Sequence, residues 1–149
     1  EIIASPLVGD ILPLSAVADE VFASGALGKG VAIQPSEGKV LAPANGTVSV
    51  LFKTGHAVGI TTDTGVELLI HIGLDTVNLD GRGYTIHVEE GQKVSAGDLL
   101  VEFEIGTINE AGYDTITPVI VTNTDNFTDV LTTTAPAVAE NDYLFTIVK

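Results

Sequence analysis

The chain has 149 residues, 45% of them hydrophobic, which suffices for the buried core of a single domain. Twenty acidic against six basic residues give a formal net charge of −14, which repels nucleic-acid phosphates and anionic membrane surfaces and argues against a polynucleotide partner. Cysteine is absent, so disulfides, thiolate nucleophiles and Cys-ligated zinc are excluded.

No apolar run approaches the roughly 20 residues that span a bilayer, so the chain reads as soluble. The bases Lys29, Lys39, Lys53, Arg82, Lys93 and Lys149 are scattered, and no cationic clamp for a phosphorylated ligand is legible in them. Methionine is also absent, which leads us to expect that Glu1 is not where translation began and that residues 1–149 form one domain of a longer protein.

In chain order, Ala16 to Phe22 is the first helical candidate, about a turn or two by pattern and poorly capped. Gly25-Ala26-Leu27-Gly28-Lys29-Gly30 has the glycine content of a phosphate loop but lacks the following Ser/Thr and helix, and Val31 to Ile33 reads as a strand. Turn signals then recur at Pro35-Ser36-Glu37-Gly38, Asn45-Gly46, Asp63-Thr64-Gly65, Asp80-Gly81, Glu90-Gly91 and Ala96-Gly97-Asp98. Between them lie Val/Ile/Leu/Thr-rich segments of strand length, the pattern of an all-β antiparallel sandwich or flattened barrel with one or two short helical turns. Lys39-Val40-Leu41-Ala42-Pro43 and Lys93-Val94-Ser95-Ala96-Gly97 form a faint internal echo. Glu90 to Leu100 is similar to a biotinyl or lipoyl hairpin without the modified lysine. Thr107 to Ala111 and Asp125 to Leu131 complete the helical candidates.

Two of the three histidines flank one hairpin. His56 to Thr61 and Val66 to His71 are separated by Thr62-Asp63-Thr64-Gly65, a loop of hairpin composition. A symmetric loop pairs Thr61 with Val66 and places His56 opposite His71 on one face, with Thr54 two residues away on the same face. A shift of one residue in register would separate the two imidazoles. For each histidine taken singly, the structural reading is a half-buried strand residue bonded to a carbonyl. His87 has no such partner and is assigned a structural role.

Paired imidazoles suit three chemistries. A metal site needs further ligands, and neither H-E-x-x-H nor H-x-H is present, so a partner's carboxylate would have to complete one at His56 and His71. Acyl transfer lacks a cysteine and a Gly-x-Ser-x-Gly elbow. Nucleophilic catalysis by histidine itself needs one neutral ring to attack a phosphoryl group and another to donate to its oxygens, and an imidazole titrating near ~6.5 supplies that neutral ring.

Pro6-Leu7-Val8-Gly9, Gly28 to Ile33, Lys39 to Pro43 with Asn45 to Val48, Thr54-Gly55-His56-Ala57, His71-Ile72-Gly73-Leu74-Asp75-Thr76-Val77 and Thr117-Pro118-Val119 are together highly specific. With them the chain, from about Ile3 to Ile147, resembles the glucose-type IIA domain of the bacterial phosphoenolpyruvate-dependent sugar phosphotransferase system. Pro35 to Val40 and Ala111-Gly112-Tyr113-Asp114 resemble its β-glucoside and sucrose branch, whose IIA domain is commonly the C-terminal part of a multidomain permease.

The resemblance implies that His71 carries a phosphoryl group on Nε2, with His56 as the second imidazole. Thr54 would orient His56, and the Gly73 carbonyl would hold the Nδ1 proton of His71. Asp19 and Asp75 match acids at the rim. Phe22, Leu27, Phe52, Val58 and Val77 match an apolar docking surface. Gly55 departs from the larger polar residue frequent at its position. The implied donor is the phosphohistidine of the carrier HPr and the implied acceptor a cysteine on a IIB domain, with no cofactor required. Because basic residues are scarce in this chain, neutralisation of the transition state is expected to fall partly to cations on the partner. The implied location is cytoplasmic, tethered through permease domains, without insertion of this segment in the membrane. The alternative is a regulatory binding module, docking on transporters or kinases and switched by phosphorylation of His71.

Overall fold

The computed structural model describes residues 1–149. In chain order the strands are β1 (Ile2–Ala4), β2 (Gly9–Pro13), β3 (Lys29–Pro35), β4 (Lys39–Leu41), β5 (Gly46–Leu51), β6 (Ala57–Thr62), β7 (Glu67–His71), β8 (Tyr84–Ile86), β9 (Lys93–Val94), β10 (Leu99–Phe103), β11 (Thr117–Val121), β12 (Asp129–Thr132), β13 (Ala137–Val138) and β14 (Tyr143–Val148). They form an eight-stranded sheet, β13-β2-β3-β11-β7-β6-β5-β9, and two three-stranded sheets, β1-β14-β12 and β4-β10-β8. Pairing is antiparallel throughout. The expected all-β sandwich is present; the flattened-barrel variant is not, because the large sheet ends in the free edges β13 and β9 and never closes.

Helical structure is confined to short pieces. The segment Ala16 to Phe22 divides into a 3-10 turn, Leu14–Ala16, and α1, Glu20–Ala23. Contrary to the expectation of poor capping, Asp19 Oδ1 accepts from the Val21 N–H at 3.0 Å and starts α1. Thr107 to Ala111 corresponds to α2, Ile105–Glu110. Asp125 to Leu131 is a 3-10 turn, Thr124–Asn126, followed by β12, because Asp129 to Thr132 find backbone partners along β14. A third 3-10 turn, Thr76–Leu79, had no signal in the sequence. No helix is long and apolar enough to cross a membrane.

The large sheet is packed on both faces. On one side a cluster of 28 buried residues, including Val58, Ile60, Leu68, Ile70 and Ile72, fills the space between the sheets. On the other, Leu14, Val17, Phe22, Ala32, Leu74, Ile116 and Ile120 form a smaller cluster that includes the buried face of α1. Strand alternation assigns the hairpin residues accordingly: Leu68 and Ile70 point into the main core, so Leu69 and His71 point to the other face. His71 therefore emerges where the smaller cluster meets solvent.

Ile70 is fully buried on β7, between β6 and β11. Ile70→Ala is expected to lower unfolding free energy by about 2–5 kcal/mol in urea titrations; a loss below ~1 kcal/mol would show that the site collapses around the gap instead.

Candidate functional site

The hairpin register differs from the symmetric one expected. Thr61 pairs with Glu67, and His71 stands opposite Ala57 rather than His56. The cause lies in the turn: Gly65, at φ +95, ends a three-residue loop that is closed by the Thr62 N–H donating to the Val66 carbonyl at 2.8 Å. This is the loop geometry in which a left-handed glycine follows a turn and shifts the pairing. On a regular pleat the shift would send His56 and His71 to opposite faces.

They meet nonetheless, because His56 precedes β6 and does not follow the pleat. The chain leaves β5 through Phe52 to His56, closed by the Gly55 N–H donating to the Phe52 carbonyl at 2.8 Å. Gly55 takes φ +77, and a Cβ there would lie 3.1 Å from side-chain atoms of both Tyr84 and Ile86. A larger residue is not accommodated in this conformation without movement of β8. The backbone remains coupled to β7 by the Ile72 N–H donating to the His56 carbonyl at 2.6 Å. The two imidazoles lie edge to face, with centroids 5.2 Å apart.

Each ring is tied at Nδ1. The Thr54 hydroxyl lies 2.5 Å from His56 Nδ1, and the Gly73 carbonyl lies 2.8 Å from His71 Nδ1. A carbonyl only accepts, so His71 carries its proton on Nδ1 and leaves a lone pair on Nε2. Gly73 can turn its carbonyl this way because it takes φ +88; a Cβ there would meet Thr76 Cγ2 at 2.5 Å and the Asp114 carbonyl oxygen at 2.8 Å.

Burial lowers both imidazoles from their ordinary value of 6.5: His56, 2% exposed, falls to about 4, with adjacent His71 adding to the effect. His71 is lowered by burial, against which the Gly73 carbonyl and the carboxylates of Asp19 and Asp75 act. Both rings are neutral near pH 7. No third metal-ligating side chain joins them, so they make at most half of a tetrahedral set.

Around the pair, the Phe22 ring lies 5.0 Å from His71 and the Phe52 ring 5.0 Å from His56. Phe52 and Val77 are exposed; Leu27 is half-buried beside the smaller cluster, and Phe22 presents little more than an edge. Val58 is a correction: it has no exposed surface and belongs to the main core, because the true register turns it away from the histidines. Asp75 is exposed, at φ +57, and Asp19 is half-buried at the start of α1. His87 stands apart, with its Nε2 2.7 Å from Glu102.

Sequence reasoning missed three supports. The Thr76 and Tyr84 hydroxyls both donate to the Ile72 carbonyl, at 2.7 and 2.8 Å, and the Asp114 carbonyl accepts from the Leu74 N–H at 3.1 Å. Val21, exposed on α1 beside Phe22, also adds apolar surface.

The model of the phosphoenolpyruvate-dependent sugar phosphotransferase system EIIA 1 family matches residues 1–127. The chain belongs to that family. Among curated relatives, the beta-glucoside-specific EIIBCA component of Bacillus subtilis is 58% identical over 127 residues, which are 85% of this chain and 21% of that protein. The corresponding component of Halalkalibacterium halodurans is 51% identical over 149 residues, 100% of this chain and 23% of its own length. The chain thus spans about a fifth of these relatives. The glucose permease IIA of Mycoplasma capricolum superposes with a TM-score of 0.90 at 38% identity, covering 97% of this chain and 94% of that one. The placement in the β-glucoside branch of EIIA domains, which are phosphotransferase components, agrees with these relatives.

Because His56 binds its proton less readily when folded, it favours the native state fully above pH 6.5, and that contribution is lost as pH falls toward 4. An NMR titration should therefore place the His56 midpoint near 4, and the stability difference between wild type and His56→Gln should change only below pH 6.5. A midpoint at the ordinary value would remove the electrostatic account. Gly73→Ala should cost about 1–3 kcal/mol in thermal unfolding through its left-handed backbone and the clash with Thr76. An unchanged melting temperature would contradict this.

Proposed function

We propose that this EIIA domain carries a phosphoryl group on Nε2 of His71, taking it from the phosphohistidine of HPr and passing it to a cysteine of a IIB domain. The observation that carries the reading is the bond from His71 Nδ1–H to the Gly73 carbonyl at 2.8 Å, which leaves Nε2 as a free nucleophile beside a second imidazole.

The step balances without proton transfer. The Nε2 lone pair forms the new N–P bond as the donor's N–P bond breaks, and His71 becomes a phosphoimidazolium that keeps its Nδ1 proton. The Gly73 carbonyl and the acids Asp19 and Asp75 stabilise that cation, which remains a good leaving group for attack by the IIB thiolate. His56 assists when Thr54 donates to its Nδ1, since the remaining proton then sits on Nε2 and can bond a phosphoryl oxygen. No cofactor is required by this chemistry. The chain supplies few cations, so positive charge for the transition state comes from the partner, which docks on the apolar rim of Phe52, Val77 and Val21. The domain works at the cytoplasmic face, tethered through permease domains as in an EIIBCA arrangement.

Intact mass after incubation with phosphoenolpyruvate, enzyme I and HPr tests the reading. Wild type should gain one acid-labile phosphoryl group and His71→Ala none. His56→Ala should load but pass the group to IIB at least tenfold more slowly, about the loss of one strong transition-state hydrogen bond. Phosphorylation of His71→Ala, or none on wild type, would overturn the assignment.

A further inference from the structure

Both peptides that flank Gly73 are held from outside the loop. On the far side, the Leu74 N–H donates to the Asp114 carbonyl at 3.1 Å. On the near side, the Ile72 carbonyl accepts two hydroxyls, Thr76 Oγ1 at 2.7 Å and Tyr84 Oη at 2.8 Å. Glycine at φ +88 has no side chain to restrict it, so the direction of its carbonyl depends on these anchors.

Tyr84 also reaches the other histidine. Its Cβ lies 3.1 Å from where a Cβ on Gly55 would be, beneath the turn that carries His56, and its ring stacks on Phe103 with centroids 6.5 Å apart. Ile72 completes the circuit by donating its N–H to the His56 carbonyl at 2.6 Å. One tyrosine thus touches both loops that bring the imidazoles together.

We propose that Tyr84 and Thr76 are positioning residues for phosphoryl transfer: their hydroxyls fix the Ile72–Gly73 peptide so that the Gly73 carbonyl keeps His71 in the tautomer with Nε2 free. This rests on the carrier reading given above. Burial raises the Tyr84 phenol above its usual range, so it stays protonated and able to donate. An imidazole released from the carbonyl also populates the Nε2–H tautomer, which has no lone pair for phosphorus, so the transfer rate follows the fraction of Nδ1–H.

The test compares wild type with Tyr84→Phe, Thr76→Val and the double variant. Long-range ¹H–¹⁵N spectra of the unphosphorylated protein read the His71 tautomer, and rapid-quench transfer from phospho-HPr reads the rate. Tyr84→Phe keeps the ring packing and should show an admixture of the Nε2–H tautomer with transfer slowed about two- to tenfold, the range for one net hydrogen bond. The double variant should lose more on both readouts, and Tyr84→Phe carries the test alone if the double variant does not fold. An unmoved tautomer overturns the proposal even if the rate falls, since that is the signature of altered docking or stability. A shifted tautomer with an unchanged rate overturns it too. Failure of wild type to accept phosphate would instead strike the carrier reading and leave the tautomer result standing.

Discussion

The bond from the Nδ1–H of His71 to the Gly73 carbonyl decides what this site can do, and much of the surrounding architecture bears on it. A histidine offers two ring nitrogens and, in water, lets the proton move between them. Here a backbone oxygen 2.8 Å away removes that freedom. The carbonyl is correctly aimed only because residue 73 is a left-handed glycine with Thr76 and Asp114 occupying the space a side chain would need. Sequence, turn conformation and ring chemistry are here linked through a single acceptor.

Burial and charge then act in opposite senses on the same ring. Desolvation beside Phe22 favours the neutral imidazole, while Asp19 and Asp75 favour the imidazolium. In the carrier reading proposed above, a drier site would hold the nucleophile neutral but oppose the charged product, and a more acidic one would protonate the nucleophile before it met a donor. His56 lacks comparable acidic support and is pushed further toward neutrality. The two rings are therefore not equivalent although they touch.

The sandwich was legible in the sequence because turn residues punctuate β-branched segments at regular intervals, and the histidine pair was legible because both members flank one hairpin. A symmetric loop would set Thr61 opposite Val66, whereas the left-handed Gly65 moves the partner to Glu67. The rings converge because Gly55 takes His56 off the pleat, a departure that alternation cannot reveal. Val58, expected at the docking surface on the resemblance alone, lies opposite Ile70 and shares its face in the core. Asp125 to Leu131 read as a helix because its strand partner, β14, lies far along the chain. Tyr84 carried no signal, since a phenol meeting a carbonyl twelve residues away follows no spacing rule, whereas the bond from Thr76 to the carbonyl four residues before it is a local pattern that a strand-and-turn reading passes over.

The position of the chain ends has a further consequence. β1 pairs with β14, and the Glu1 carboxylate bonds the hydroxyls of Thr62 and Thr64 at the turn of the β6–β7 hairpin. The histidines occupy the other end of that hairpin, about 20 Å away at ~3.3 Å per strand residue. Polypeptide joined near Glu1 would therefore depart from the pole opposite the imidazoles, and β14 runs alongside β1. In the carrier reading proposed above, a tether attached there would keep its attachment point clear of the end of the hairpin that holds the imidazoles.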